Sequence, residues 1–356
     1  MAVKFGPAGN ADSFSAQYKS SLDAPGWIAR QGLDAYEYQC GKGVHIGQES
    51  AQKLGQRAVE AGIALSLHAP YFINLANPDP EALEKTIGYI LSACRAADWM
   101  GATRVVIHTG ALMKRTRQQA LEIAQSSLQA VVAACDQAGL GHITLCPETM
   151  GKINQLGDLE EVLHLCTLDE RLVPCVDFGH LYARSLGADQ GMEVTAHILD
   201  RMAQVLGEDR ASRFHSHFSK IAYTPKGGEK MHLTFDQDEF GPDPLPLMEQ
   251  LARRGWSPTI ICESAGTQAE DAKTMKEAYL SYCDKPQCAL ADPALLRRPS
   301  VLGEAQNLDA GRIHSARADP IPRGPRQARL LGKSAGTQAE DAKTMKEAYL
   351  SYLDQP

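Results

Sequence analysis

Short apolar runs recur along this chain, and each is followed by a polar or glycine-containing break. They read VKFGPAG near position 4, DAYEYQ near 36, ALSLH near 66, RVVIH near 106, HITLCPE near 145, VPCVD near 175, RFHSHFSK near 216 and TIICE near 261. Their β-branched and apolar composition and their length predict buried strands. The spacers behave differently. In PEALEKTIGYILSACRAADWMG and RQQALEIAQSSLQAVVAACDQAG the apolar residues fall three or four apart, and a glycine closes each segment. That is the pattern of amphipathic helices with glycine stops. Eight strands alternating with helices predict an α/β protein, a (β/α)8 TIM barrel over residues 1–287. A doubly wound open sheet is the competing architecture, but no glycine-rich phosphate loop follows the first strand.

The pattern stops in the last quarter. SAGTQAEDAKTMKEAYLSY occupies 264–282 and returns letter for letter at 334–352. Residues 288–333 between the copies are rich in Arg, Pro and Ala and lack periodicity, so a disordered linker is expected there. Residues 334–356 then duplicate the last helical segment of the barrel. The first copy follows Glu263 and the second follows Lys333, so the helix is repeated without its preceding carboxylate.

Composition narrows the class. The chain has 356 residues, 44% apolar and 22% charged, enough for a large core. A net charge of -7 argues against a generally basic nucleic-acid binder, although a local basic rim around one cleft is compatible with it. The segment MAVKFGPAGNADSF has no long apolar stretch, so no signal peptide is expected. No run approaches the roughly 20 apolar residues of a membrane span. Nine cysteines without a CxxC pair fit small core residues in a reduced, cytoplasmic protein.

The chemistry is carried by how the runs end. His68, His108, Glu148, Asp177 and Glu263 each close one, and His215 lies in the seventh. In a TIM barrel those positions line the C-terminal mouth, where working residues gather. Singly, each has an ordinary reading: a packed histidine, or an aspartate capping a helix. Six such groups from six strands point instead to one metal-binding mouth. His180, three residues after Asp177, and His232, in the loop after the seventh strand, add two more imidazoles. Imidazole with carboxylate suits Zn2+, and Mn2+ or iron less exclusively. Eight ligands exceed the need of one ion, so a cluster of two or three is expected. His217 shares the face of His215 and is read either as a ligand or as a donor to one. His45, His142, His164, His197 and His314 lie off the strand ends and are read as structural or solvated. The stretch HAPYFINLANP places Tyr71 and Phe72 at the mouth, where they either pack under a neighbouring loop or stack on a ligand.

In HAPYFINLANP, IHTGA, PETMGKINQLGDLEEV, VDFGHLYA, FHSHFSK and CES, the sequence resembles the endonuclease IV family over roughly residues 3–283. That family comprises zinc-dependent apurinic/apyrimidinic endonucleases on a TIM barrel. The resemblance implies three zinc ions. His68, His108 and Glu148 would hold one. Glu148 would bridge to a second, completed by Asp177, His215 and Glu263. His180 and His232 would hold the third. It implies double-stranded DNA with an abasic site as partner, cut 5′ to the lesion in base-excision repair. Tyr71 matches a loop residue that fills the gap left by the flipped sugar. Where the family has an aspartate two residues before the loop histidine, this chain has Lys230 with Glu229 beside it, and Thr149 stands in place of an asparagine.

The resulting expectation is a monomeric metal-dependent phosphodiesterase. A hydroxide bridging the ions would be oriented by Glu148 and Glu263, and Tyr71, Phe72, Lys220 and Glu37 would face the substrate. The alternative is a single-metal sugar isomerase or epimerase of the xylose-isomerase-like superfamily, its ion held by Glu148, Asp177, His215 and Glu263. His68, His108, His180 and His232 would then lack a shared purpose.

Overall fold

The computed structural model describes residues 2–284. The expected linker at 288–333 and the repeated segment at 334–356 lie outside the described residues. Within them, eight parallel strands alternate with helices: β1 (Lys4–Pro7), β2 (Ala35–Gln39), β3 (Ala64–His68), β4 (Arg104–His108), β5 (Thr144–Glu148), β6 (Cys175–Asp177), β7 (His215–Phe218) and, last in the chain, β10 (Thr259–Cys262). Their order is β1-β10-β7-β6-β5-β4-β3-β2. The two ends of this sheet meet: Gly9 N–H donates to Glu37 O at 2.9 Å and Asp34 N–H to Phe5 O at 2.8 Å. The sheet is therefore a TIM barrel, as the run pattern predicts. Gly6 is required at this seam, because a Cβ there would lie 1.9 Å from Ala35 O.

The helices follow from local signals. Pro80–Met100 starts on Asp79, whose side chain accepts from Glu81 N–H, and stops at Gly101 with φ of 71°. Arg117–Gln137 begins with a reciprocal capping box between Thr116 and Gln119. Outward-facing strand residues pack on this helical ring. Leu67, Val105, Ile107 and Leu145 join one apolar cluster, and Val176, Phe218, Ile260 and Cys262 join the other. Inward apolar residues are few: Val106, Cys146 and Cys175 form a minor plug, and Ile261 lies level with His217. The rest of the barrel interior is polar, with Glu37, Ser66, His68, Glu148, Asp177, His215 and His217 all buried. A barrel whose core is surrendered to ionisable groups has given up hydrophobic stabilisation there, which marks the interior as a site.

One element differs from the sequence reading. The segment after β7 is an antiparallel hairpin, β8 (Lys220–Thr224) paired with β9 (Gly228–Leu233), rather than a loop. It stands over the mouth and carries Glu229 and His232. Among the described residues, no helix is long and apolar enough to cross a membrane.

Candidate metal centre

Glu148, the last residue of β5, is the hub. Its Oε2 lies 3.4 Å from His68 Nε2 and 3.3 Å from His108 Nε2, and its Oε1 lies 2.9 Å from His217 Nδ1. Parallel neighbours end level with it: His108 pairs in register with Glu148. Asp177 closes β6, and its Oδ1 accepts from the N–H of His180 at 2.7 Å, capping the helix Phe178–Arg184. The other oxygen, Oδ2, is buried without a hydrogen-bond partner, and so is Glu148 Oε2. Buried carboxylate oxygens are costly unless compensated. Here the two orphans face a common space with His217 and Glu263, and the four residues offer ligand atoms within 4.8 Å of one another. His68, Glu148 and His217 form a second such group, and His180, Glu229 and His232 a third. The donor set of imidazoles and carboxylates fits zinc, and manganese or iron with less selectivity.

Backbone and hydroxyl partners fix the rings. His68 Nδ1 is 2.7 Å from Ala69 O and His180 Nδ1 is 2.8 Å from Thr149 O, so each donates there and leaves Nε2 as the nitrogen turned to the centre. His232 Nδ1 is held by Ser219 Oγ at 2.9 Å.

Electrostatics carry the same imprint. Burial resists ionisation of Glu148, yet His217, His108 and His68 around it hold its carboxyl well below the ordinary range. Burial pushes Asp177 up, helped by the charges of Glu263 and Glu148. Burial also resists charge on His180, but Asp177, Glu229, Glu148 and Glu263 prevail and raise it to about 9. In the metal-free chain the proton on His180 thus stands where a cation would. A cation entering the group of His180, Glu229 and His232 must displace that proton at neutral pH. Affinity there should rise with pH and level off above about 9. Calorimetric zinc titration in two buffers of different ionisation enthalpy should show proton release at pH 7 that shrinks as pH rises through about 9. Equal heats in both buffers at pH 7 would contradict it.

The expected site residues are placed as follows. His68, His108, Glu148, His180, Glu229, His232 and Glu263 line one cavity of about 410 Å³, with Tyr71 at its edge. Asp177 lies beneath them. Tyr71 stacks on His108 with ring centroids 5.5 Å apart, and Phe72 turns to Tyr89 outside the cavity. Both aromatics are exposed, at 57% and 52%. His215 departs from expectation. It points the same way as His217 but lies two residues deeper, in register with Cys175, whereas His217 is level with Asp177. His217 therefore takes the place expected of His215 beside Glu148, Asp177 and Glu263. Glu37 also departs: it is fully buried below the mouth, accepting from His215 Nε2 and Ser66 Oγ, both at 2.9 Å. Lys220 is turned away from the cavity. Its ammonium donates to Phe235 O, Gln237 O and Asp238 Oδ1, pinning the loop after β9. Three lining residues went unsuspected, Met150, Lys152 and Gln155. The only signal for them in the sequence is their position in PETMGKINQLG, directly after a strand-end glutamate.

A family model for the xylose isomerase-like TIM barrel matches residues 25–281. The chain belongs to that family. It is 32% identical over 273 residues to an uncharacterized protein of Methanocaldococcus jannaschii, covering 76% of this chain and 95% of that one. It is 30% identical over 161 residues to a probable endonuclease 4 of Mycoplasma pneumoniae. That match covers 43% of this chain and 52% of the relative, so it spans about half of that protein. Among solved structures, a D-tagatose 3-epimerase-like protein has a TM-score of 0.58 at 19% identity, over 79% of this chain and 98% of that chain. Endonuclease IV from Thermus thermophilus has a TM-score of 0.56 at 20% identity, over 78% and 99%. At such identities the structural likeness speaks for the shared barrel of this family and not for one of its activities.

Proposed function

We propose that this xylose isomerase-like barrel is a zinc-dependent phosphodiesterase that cuts duplex DNA 5′ to abasic sites. The observation that carries the reading is the surplus of ligands: His68, His108, His180, Glu229 and His232 share one cavity with Glu148 and Glu263, two members of the group that Asp177 and His217 complete. A sugar isomerase needs only the last four, and the surplus would then have no work.

Bound zinc ions would supply Lewis acidity and an acidified water. The chain's own groups supply the rest. His68, His108 and Glu148 would hold one ion, Glu148 with Asp177, His217 and Glu263 a second, and His180, Glu229 and His232 a third. Glu148 and Glu263 both bring a carboxylate oxygen to Nδ1 of His217, at 2.9 and 3.5 Å, where they would orient the attacking water. Lys152, lining the cavity, offers an ammonium to a phosphate oxygen, and Gln155 offers an amide. Tyr71 on the rim presents its ring to an unstacked base or sugar, and Phe72 packs on Tyr89 beside it.

The test is a labelled duplex bearing a single abasic analogue, incubated with zinc-loaded protein of measured metal content. Incision 5′ to the lesion with two to three ions per chain is expected, and chelation should abolish it. One ion per chain, no incision, and epimerisation of a ketohexose would replace this reading with the isomerase one.

A further inference from the structure

Glu37 is a carboxylate with no part in the ligand groups above, sealed inside the barrel at 0% exposure. It is held on several sides. Ser66 Oγ donates to Oε2 at 2.9 Å, His215 Nε2 lies 2.9 Å from the same oxygen, and Gln39 Nε2 donates to Oε1 at 3.1 Å. Oε1 also lies 2.9 Å from His217 Nε2. That contact lacks the alignment of a hydrogen bond, and His217 Nε2 is a buried polar atom without a partner. The opposite ring nitrogen, Nδ1, is the one that reaches Glu148 Oε1 at 2.9 Å and Glu263 Oε1 at 3.5 Å.

We infer that Glu37 is a positioning residue: it receives the Nε2 proton of His217, so that the bare Nδ1 faces the ion held with Glu148, Asp177 and Glu263. In the metal-free chain Nδ1 donates to Glu148. An imidazole that coordinates through Nδ1 must carry its proton on Nε2. Among the described residues Glu37 is the carboxylate that reaches Nε2, at 2.9 Å, and the Cys175 thiol, a weaker acceptor, is the other group beside this ring. His215, Ser66 and Gln39 then have a purpose, since they hold the carboxylate still while it takes this load. The sequence logic agrees: a buried glutamate on β2 and an H-S-H strand at β7 are each costly alone and explain one another.

This inference rests on the metal-binding part of the proposed function and not on its substrate. Its test is made on the whole chain. In zinc-loaded, 15N-histidine-labelled protein, His217 should show the Nε2–H tautomer with metal-coupled Nδ1. The opposite tautomer overturns the proposal without any variant being made. Glu37→Gln should bind cobalt at the Glu148, Asp177, His217 and Glu263 group about 10–100-fold more weakly, as loss of a carboxylate behind a ligand histidine commonly does. Its cobalt absorption bands should shift, and Glu37→Asp should recover part of the affinity. A purely structural glutamate would lower thermal stability while leaving cobalt affinity and spectrum unchanged, and that result also overturns it. If DNA incision fails while these readouts hold, the substrate reading falls and Glu37 keeps its role.

Discussion

Replacing Glu148 by glutamine is expected to remove at least one ion per chain and to lower incision by on the order of 10³-fold or more, with the barrel intact. The size follows from what the ions contribute, several kcal/mol of charge stabilisation at the reacting phosphate, with each 1.4 kcal/mol worth tenfold in rate. The location follows from the geometry. Among the described residues, Glu148 is the one carboxylate within reach of His68, His108 and His217 together, and it belongs to two of the ligand groups. Glutamine keeps the volume and can still accept from His217, so packing against the β4 and β6 neighbours survives. What it lacks is the charge at Oε2, the buried oxygen that faces His68 and His108 without a hydrogen-bond partner. Elemental analysis and single-turnover cleavage of the abasic duplex, run beside a thermal melt, separate lost metal from lost fold. A folded variant with full metal content and activity within tenfold of the parent would remove Glu148 from the centre.

Much of this was readable in the chain, and the reason is geometric. A run such as RVVIH states both its strand and its end, because the apolar stretch must be buried and the histidine must lie at the mouth. Helix boundaries were legible wherever a cap was written locally, as at Asp79 and Gly101. The hairpin of β8 and β9 was not, since its strands are short and one is exposed, which weakens any alternation. Depth was the second illegible quantity. Residues two apart on a strand share a face whatever the register, so HSH identifies an inward pair without saying which member reaches the rung of Asp177. Neighbouring strands settle that, and their alignment is nowhere in the local sequence. The same holds for Glu37 and Lys220. Each lies near the mouth in chain position, yet one side chain turns into the barrel and the other into the carbonyls of the following loop.

The paired substitutions His217→Ala and His215→Ala decide the depth question by function. His217→Ala should lose the ion shared with Glu148, Asp177 and Glu263 and should lower incision by on the order of 10³-fold, the same physical loss as at Glu148. It leaves those carboxylates crowded with one imidazole fewer, so the metal-free variant should also melt earlier. His215→Ala should keep that ion and fall by no more than about tenfold, because its ring touches Glu37 and stands in register with Cys175, one layer below. Its cost should appear instead in stability, about 1–3 kcal/mol for a buried carboxylate deprived of one donor. The two variants part at the metal: both cost stability, but His217→Ala loses the ion and His215→Ala keeps it. Cobalt titration together with chemical denaturation therefore distinguishes them in a single pair of preparations. Metal loss in His215→Ala with retention in His217→Ala would put the coordinating ring one layer deeper. It would also break the link drawn between Glu37 and the upper centre, since the carboxylate would then be supporting the wrong histidine.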